Sequence, residues 1–137
     1  GTAVRLNSKI QNGEVVVVVG DRVPIATGAN GASVQPENTL TVEFLGAPAR
    51  FPQGPWVLAH LLKCPVLTLF CIKHDGKYHV HCEPFAERIH LPRGNREENM
   101  KREVQRYVAG LEHYCKVAPL QWYNFYPFWG DSGEPGE

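Results

Sequence analysis

The stretch Glu14-Val15-Val16-Val17-Val18-Val19-Gly20-Asp21-Arg22 decides how this chain is read. Valine branches at Cβ, which stiffens χ1 and suits the pleated surface of a sheet better than a helix. Five in a row predict a buried strand over 14–20. Asp21 and Arg22 then stand at the carboxyl end of that strand, and ligands of open α/β sheets bind beyond such ends.

Working outward, Gly28-Ala29-Asn30-Gly31-Ala32-Ser33 between Pro24 and Pro36 predicts a flexible loop, and Thr39 to Leu45 a second strand that Gly46 and Pro48 end. Pro55 suits the first turn of a helix running to about Leu62. Trp56, Val57, Leu58, Ala59, Leu61 and Leu62 surround that helix almost completely, so it is expected to be buried or to lie in an apolar interface. Pro65 to Ile72 predicts a third strand, Asp75-Gly76 a hairpin turn, and Tyr78 to Cys82 a fourth strand. Residues 88–95 read as loop. Asn95 stands where it can cap a helix whose apolar positions Met100, Val104, Tyr107, Val108, Leu111 and Cys115 keep the 3.6 period until Pro119 stops it. Strands joined both by a helical crossover and by a hairpin give the expected fold class, α/β with a mixed, mostly parallel sheet layered with helices. Residues 130–137, acidic and rich in glycine, are expected to be a flexible tail on a domain spanning 1–129.

A length of 137 residues is that of one domain with one core. Fourteen Lys and Arg against fourteen Asp and Glu leave no net charge, so no global field draws nucleic acid, and that role is disfavoured. The longest apolar run, Val15 to Val19, and the broken segment 56–72 both fall short of the roughly 20 residues of a membrane-spanning helix. No secretory signal pattern is present. Cys64, Cys71, Cys82 and Cys115 show no Cys-x-x-Cys spacing, and three lie in apolar segments, so reduced buried thiols and a reducing compartment are expected.

An acid–Arg pair after a buried strand can set a permanent cation at a pocket mouth, where its fork of donors suits phosphate or carboxylate; the alternative is a surface turn with an exposed ion pair. His79 and His81 lie two apart on a predicted strand and face one side, as two metal ligands could, with His74 and Asp75 nearby. A hairpin with polar residues outside needs no metal, and no metal or cofactor is expected. Ser8, Ser33 and Ser132 fall outside any nucleophile elbow, and no phosphate-cradling glycine loop is present. Arg96, Glu97, Glu98, Lys101, Arg102 and Glu103 mix both signs at helical spacing, the pattern of a solvated, salt-bridged face. The segment Gln121 to Trp129 packs six of the chain's fourteen aromatic residues into eight positions. Large rings with polar tips serve a membrane or protein interface and a core equally well.

Val-Val-Val-Gly-Asp-Arg ending at 22, Phe-Leu-Gly-Ala-Pro-Ala-Arg-Phe-Pro-Gln-Gly-Pro at 44–55, Leu-Ala at 58–59, Pro-Val-Leu-Thr-Leu-Phe at 65–70 and Gln-Trp-Tyr-Asn-Phe-Tyr-Pro-Phe-Trp at 121–129 resemble the bacterial lipid A late-acyltransferase branch of the lysophospholipid acyltransferase superfamily. The resemblance runs over about residues 8–129. It implies an α/β layer with a mostly parallel sheet, and transfer of a fatty acyl group from an acyl carrier protein or coenzyme A thioester to a hydroxyl of a lipid or glycolipid, at the cytoplasmic face of the inner membrane. Asp21 and Arg22 fall where the family's phosphate-binding acid–Arg motif lies. Pro65 and Val66 fall at the Pro-containing strand start that shapes its acyl pocket.

The chain departs from the family at the catalytic signature, a His followed five positions later by Asp or Glu, where the His acts as general base. Five positions after its six histidines stand Pro65, His79, Pro84, Ala86, Asn95 and Ala118. In the family that motif lies upstream of the Asp-Arg strand, and this chain opens on Gly1. The expectation is therefore a carboxyl-terminal half of an acyltransferase, inactive alone, that self-associates through an exposed sheet edge. The alternative is a non-enzymatic lipid- or partner-binding module using the 55–62 helix and the aromatic segment.

Overall fold

The computed structural model describes residues 1–23, 26–27, 33–34, 38–124 and 128–129. The chain begins with helix α1 (Thr2–Gln11), which buries none of its residues and lies against helix α2 (Gly54–Leu62). Two-residue strands β1 (Ala26–Thr27) and β2 (Ser33–Val34) pair antiparallel. Strands β3 (Thr39–Phe44) and β4 (Ala47–Pro52) form one hairpin, and β5 (Val66–His74) and β6 (Lys77–Ala86) a second. Helix α3 (Arg96–Val117) follows a short 3₁₀ turn at Arg93–Asn95, and a further 3₁₀ turn at Pro119–Gln121 closes it off.

Helix and strand are thus mixed, but every strand pair among the described residues is antiparallel. This corrects the mostly parallel sheet. The reason lies in the turns: Leu45-Gly46 and Asp75-Gly76 both carry positive φ at two successive residues, which is the twist a two-residue hairpin needs. Each strand is therefore folded straight back on its neighbour. The expected end of a strand at Gly46 and Pro48 is a hairpin instead, with Phe44 facing Ala47. Pro48 and Pro52 are tolerated because a two-stranded ribbon has free edges.

The valine run is the larger correction. Residues 14–19 form no strand, and Val15 and Val17 are 83% and 80% exposed. β-Branching makes a residue fit a sheet without supplying the partner strand whose ladder would hold it. The loop at 28–32 and the tail at 130–137 lie outside the described residues.

The core sits between α3 and the β3–β4 hairpin. Leu40, Val42 and Phe44 alternate inward along β3 and meet Met100, Val104, Val108, Leu111 and Cys115, the apolar stripe expected for α3. Asn95 occupies the cap position without a side-chain cap bond; its carbonyl accepts from Asn99 Nδ2 at 2.7 Å. Glu97 and Glu98 in the first turn and Lys116 in the last complement the helix dipole. Helix α2 matches its expected span but buries only Trp56 and Leu62, with Leu61 exposed, so it lies on the core surface rather than inside.

The inner face of the β5–β6 ribbon packs on α3 through Phe70, whose ring stacks on Tyr114 at 4.5 Å and on Tyr107 at 6.1 Å. Its outer face, carrying Leu67, Leu69, Tyr78 and Val80, is exposed, together with Cys71 and Cys82. Only Cys115 of the four thiols is buried, which corrects the expected burial of the strand cysteines; all four are free.

Candidate functional site

Gly20 delivers the acid–Arg pair. A side chain there would meet the Tyr107 ring at 3.1 Å, so glycine lets the backbone lie directly on α3 and places Asp21 and Arg22 beside the helix's last turns. From the other direction, Pro119 ends α3 and turns the chain back, which brings Trp122 to Asn124 to the same spot.

The two segments are tied together across 101 and 102 residues of sequence. Trp122 Nε1 donates to Asp21 Oδ2 at 3.2 Å. Arg22 Nη1 donates to Asn124 Oδ1 at 3.2 Å, and Nη2 to the Tyr123 carbonyl at 2.7 Å. Arg22 Nε lies 3.6 Å from Asp21 Oδ2, and the guanidinium sits 5.5 Å from the centre of the Trp122 ring. The arrangement is a clasp between the acid–Arg pair and the aromatic segment. A third of the Arg22 side chain stays open to solvent, so the cation remains reachable.

Beneath Asp21 lies a cleft of about 190 Å³, walled by Phe70, Tyr107, Leu111, Cys115 and Trp122. Burial, and then the Asp21 charge, push the Tyr107 hydroxyl well above the ordinary tyrosine range. Burial again, with Asp21 and Glu112 adding repulsion, pushes the Cys115 thiol up to about 11. Neither group ionises near neutrality, so the cleft presents an apolar wall with one carboxylate at its mouth and a guanidinium beside it.

Pro65 and Val66 do not join this cleft. Pro65 is exposed, and Val66 starts β5 and packs half-buried against the core, three residues before the strand positions that reach the cleft. The aromatic segment divides: Trp122, Phe128 and Trp129 surround the Phe44 ring at 5.2, 5.5 and 5.6 Å, and Trp129 Nε1 donates to the Phe44 carbonyl. Core packing accounts for Trp122 and Phe128, whereas Trp129 and Tyr123 are exposed. Phe125, Tyr126 and Pro127 lie outside the described residues.

His79 and His81 share one face as expected, with His74 beside them along a groove at the ribbon tip. Among the described residues no three His, Cys, Asp or Glu side chains converge as a metal site. On the charged face of α3, Arg102 lies 3.8 Å from Glu103, the one expected partner it meets among the described residues, while Glu103 also pairs with Arg106 and Arg102 donates to Asn99. Two contacts escaped the sequence reading. Tyr114, seven residues beyond Tyr107 and so on the same helical face, stacks on Phe70 and donates to Glu83 at 3.0 Å. Gln121 takes the Lys73 N–H on its Oε1 and returns Nε2 to the Lys73 carbonyl, both at 2.7 Å. No described helix is long and apolar enough to cross a membrane. Comparison with protein-family models, with curated proteins and with solved structures found no match to this chain.

Proposed function

We propose that this chain serves acyl transfer by holding the substrate, with Arg22 engaging the anionic phosphate of an acyl donor or acceptor and Asp21 orienting the guanidinium. The observation that carries the reading is the clasp: the acid–Arg pair and the Trp122–Asn124 segment, both within stretches that resemble the family, meet at the mouth of a cleft. A fixed cation next to apolar walls matches an acyl chain attached to a phosphate-bearing carrier. In this reading the donor is an acyl carrier protein or coenzyme A thioester and the acceptor a lipid or glycolipid hydroxyl at the cytoplasmic face of the inner membrane, while Pro65 and Val66 lie away from the cleft and take no part. None of the six histidines is followed five positions later by Asp or Glu, so this reading assigns the chain a binding contribution.

Titration with an acyl-phosphopantetheine, followed by Trp122 fluorescence, tests this. Arg22→Gln is expected to weaken binding roughly tenfold, the worth of one charge-assisted hydrogen bond. Asn124→Ala loosens the clasp and leaves the cation, so it should lower stability and keep most of the affinity. Equal affinity in Arg22→Gln and the parent chain removes the proposal. Acyl transfer from an acyl-carrier-protein thioester should be undetectable; turnover abolished by His79→Ala or His81→Ala would overturn the binding-only role.

One observation favours the alternative reading of a lipid- or partner-binding module: the outer ribbon face exposes Leu67, Leu69, Tyr78 and Val80 side by side. Liposome flotation of Leu67→Ser/Leu69→Ser against the parent chain separates the two, since the acyl-transfer reading predicts no change in substrate affinity from these positions.

A further inference from the structure

The register of the β5–β6 hairpin fixes which residues share its outer face. Leu67, Leu69, Cys71 and Lys73 of β5 stand opposite Pro84, Cys82, Val80 and Tyr78 of β6. Side chains alternate along a strand and Phe70 packs on α3, so these residues point the other way. Gln121 takes both backbone groups of Lys73, so those groups point away from β6 and Lys73 and Tyr78 form a non-hydrogen-bonded pair. By the same alternation Cys71 with Val80 and Leu69 with Cys82 are pairs of that closer kind.

Cys71 and Cys82 therefore occupy one diagonal of the face, each beside the other's partner, and both thiols are free and exposed. Cα atoms on such a diagonal lie about 7–8 Å apart, with the Cβ atoms nearer. A disulfide needs Cα atoms within about 7 Å, so a direct S–S bond would require the backbone to move. An atom between the sulfurs fits better. A metal–thiolate bond is about 2.3 Å long, so a linear S–metal–S bridge spans about 4.6 Å, which two cysteine side chains can straddle across this diagonal.

The donors select the metal. The outer face carries neither carboxylate nor imidazole, and among the described residues no third His, Cys, Asp or Glu converges with the two thiols. Asp21, beside the edge of β5, is held by Trp122 and Arg22. Structural zinc takes four ligands and calcium and magnesium take oxygen, whereas soft thiolates in low coordination suit copper(I). Two thiolates around one copper(I) leave a single negative charge. The Lys73 ammonium answers it: Lys73 follows Cys71 by two residues on the same face, and its Nζ lies 5.6 Å from the centre of the Tyr78 ring there. Leu69 and Val80 flank the diagonal with apolar bodies.

We propose that Cys71 and Cys82 bind one copper(I) ion between them. Two S–H bonds are replaced by two S–Cu bonds, two protons pass to solvent, and no electron is transferred. The site does not rest on the acyl-transfer reading.

The test uses the whole chain, reduced and free of oxygen, with copper(I) delivered as its acetonitrile complex against the chelator bathocuproine disulfonate. One copper per monomeric chain is expected. Cys71→Ser and Cys82→Ser should each lower the affinity by at least about a hundredfold, the upper cost of losing a mere outer-shell partner, while Cys64→Ser leaves it unchanged. Lys73→Gln should lower it roughly threefold, the worth of an exposed ion pair. Iodoacetamide maps the site in the parent chain without any substitution: copper should protect Cys71 and Cys82 and leave Cys64 alkylated. Moving the second thiol straight across, by Val80→Cys with Cys82→Ser, should let glutathione disulfide take two electrons from the pair and close a disulfide, which the parent's diagonal pair resists. Copper affinity that survives either serine substitution overturns the proposal, as does one copper shared between two chains. A Cys71–Cys82 disulfide that forms as fast in the parent as in the shifted pair also overturns it, because the diagonal would then be too short for a metal bridge.

Discussion

Trp56 buries its indole among Phe85 and Tyr107, yet its Nε1 finds no acceptor among the described residues. An unmet buried donor carries a desolvation cost with no return, while the ring contributes a full aromatic's burial. Trp56→Phe should therefore cost about 1 kcal/mol or less, and Trp56→Ala about 3–5 kcal/mol, in urea unfolding. Similar losses for both would show that the indole nitrogen has a partner. Cys115 supplies a second contrast. With its thiol pushed up to about 11, a fraction on the order of one in a thousand is thiolate at pH 8, so iodoacetamide should label Cys71 and Cys82 and spare Cys115 until the chain unfolds. Its folded pKa is raised above the ordinary 9.0, so the folded state holds the proton more tightly. The stability it contributes is complete below pH 9 and is lost as pH rises toward 11. Tyr107, shifted in the same direction, adds a loss at still higher pH. Urea midpoints at pH 8 and 10.5 should fall accordingly, and Cys115→Ala should flatten the fall.

The elements differ in how openly the sequence announced them, for physical reasons. α3 was legible because an unbroken 3.6 period ends at a proline, and neither signal needs a tertiary partner. The β5–β6 hairpin was legible from Asp75-Gly76, whose residue types tolerate the two positive φ angles that the turn requires. The β3–β4 turn has the same geometry with leucine in the first position, at φ 51°, so nothing in its composition signalled a hairpin. Glu112 Oε1 takes the Leu45 N–H at 2.7 Å and helps hold that conformation. Leu45→Asn would install the preferred Asn-Gly turn and should raise stability by about 1 kcal/mol, read as a higher thermal midpoint. α1 escaped notice because it buries nothing and so shows no core-facing stripe. The valine run was misread for the converse reason: composition states what a residue suits, whereas a strand exists only where another pairs with it.

For the whole molecule, the stretches that matter were each singled out in the sequence, but their meeting was not. Asp21 and Arg22 drew attention as a strand end, Trp122 to Asn124 as an aromatic cluster, and only the folded chain brings them within hydrogen-bonding distance. Such long-range contacts leave no local pattern. The ribbons pose a second question at this scale. A two-stranded ribbon with an exposed apolar face and open edges invites a second copy, so light scattering should show mass rising with concentration. Val80→Lys should return the chain to monomer, and a monomer at millimolar concentration in the parent chain would refute the expectation.

The carboxamide of Gln121 has a consequence for how such association can grow. By taking both backbone groups of Lys73 it imitates the peptide of a neighbouring strand, and so stops the outer edge of β5 like a bung. A strand joining that edge can run only along residues 66–72, so Gln121 sets the limit of the register in which a second chain can pair there.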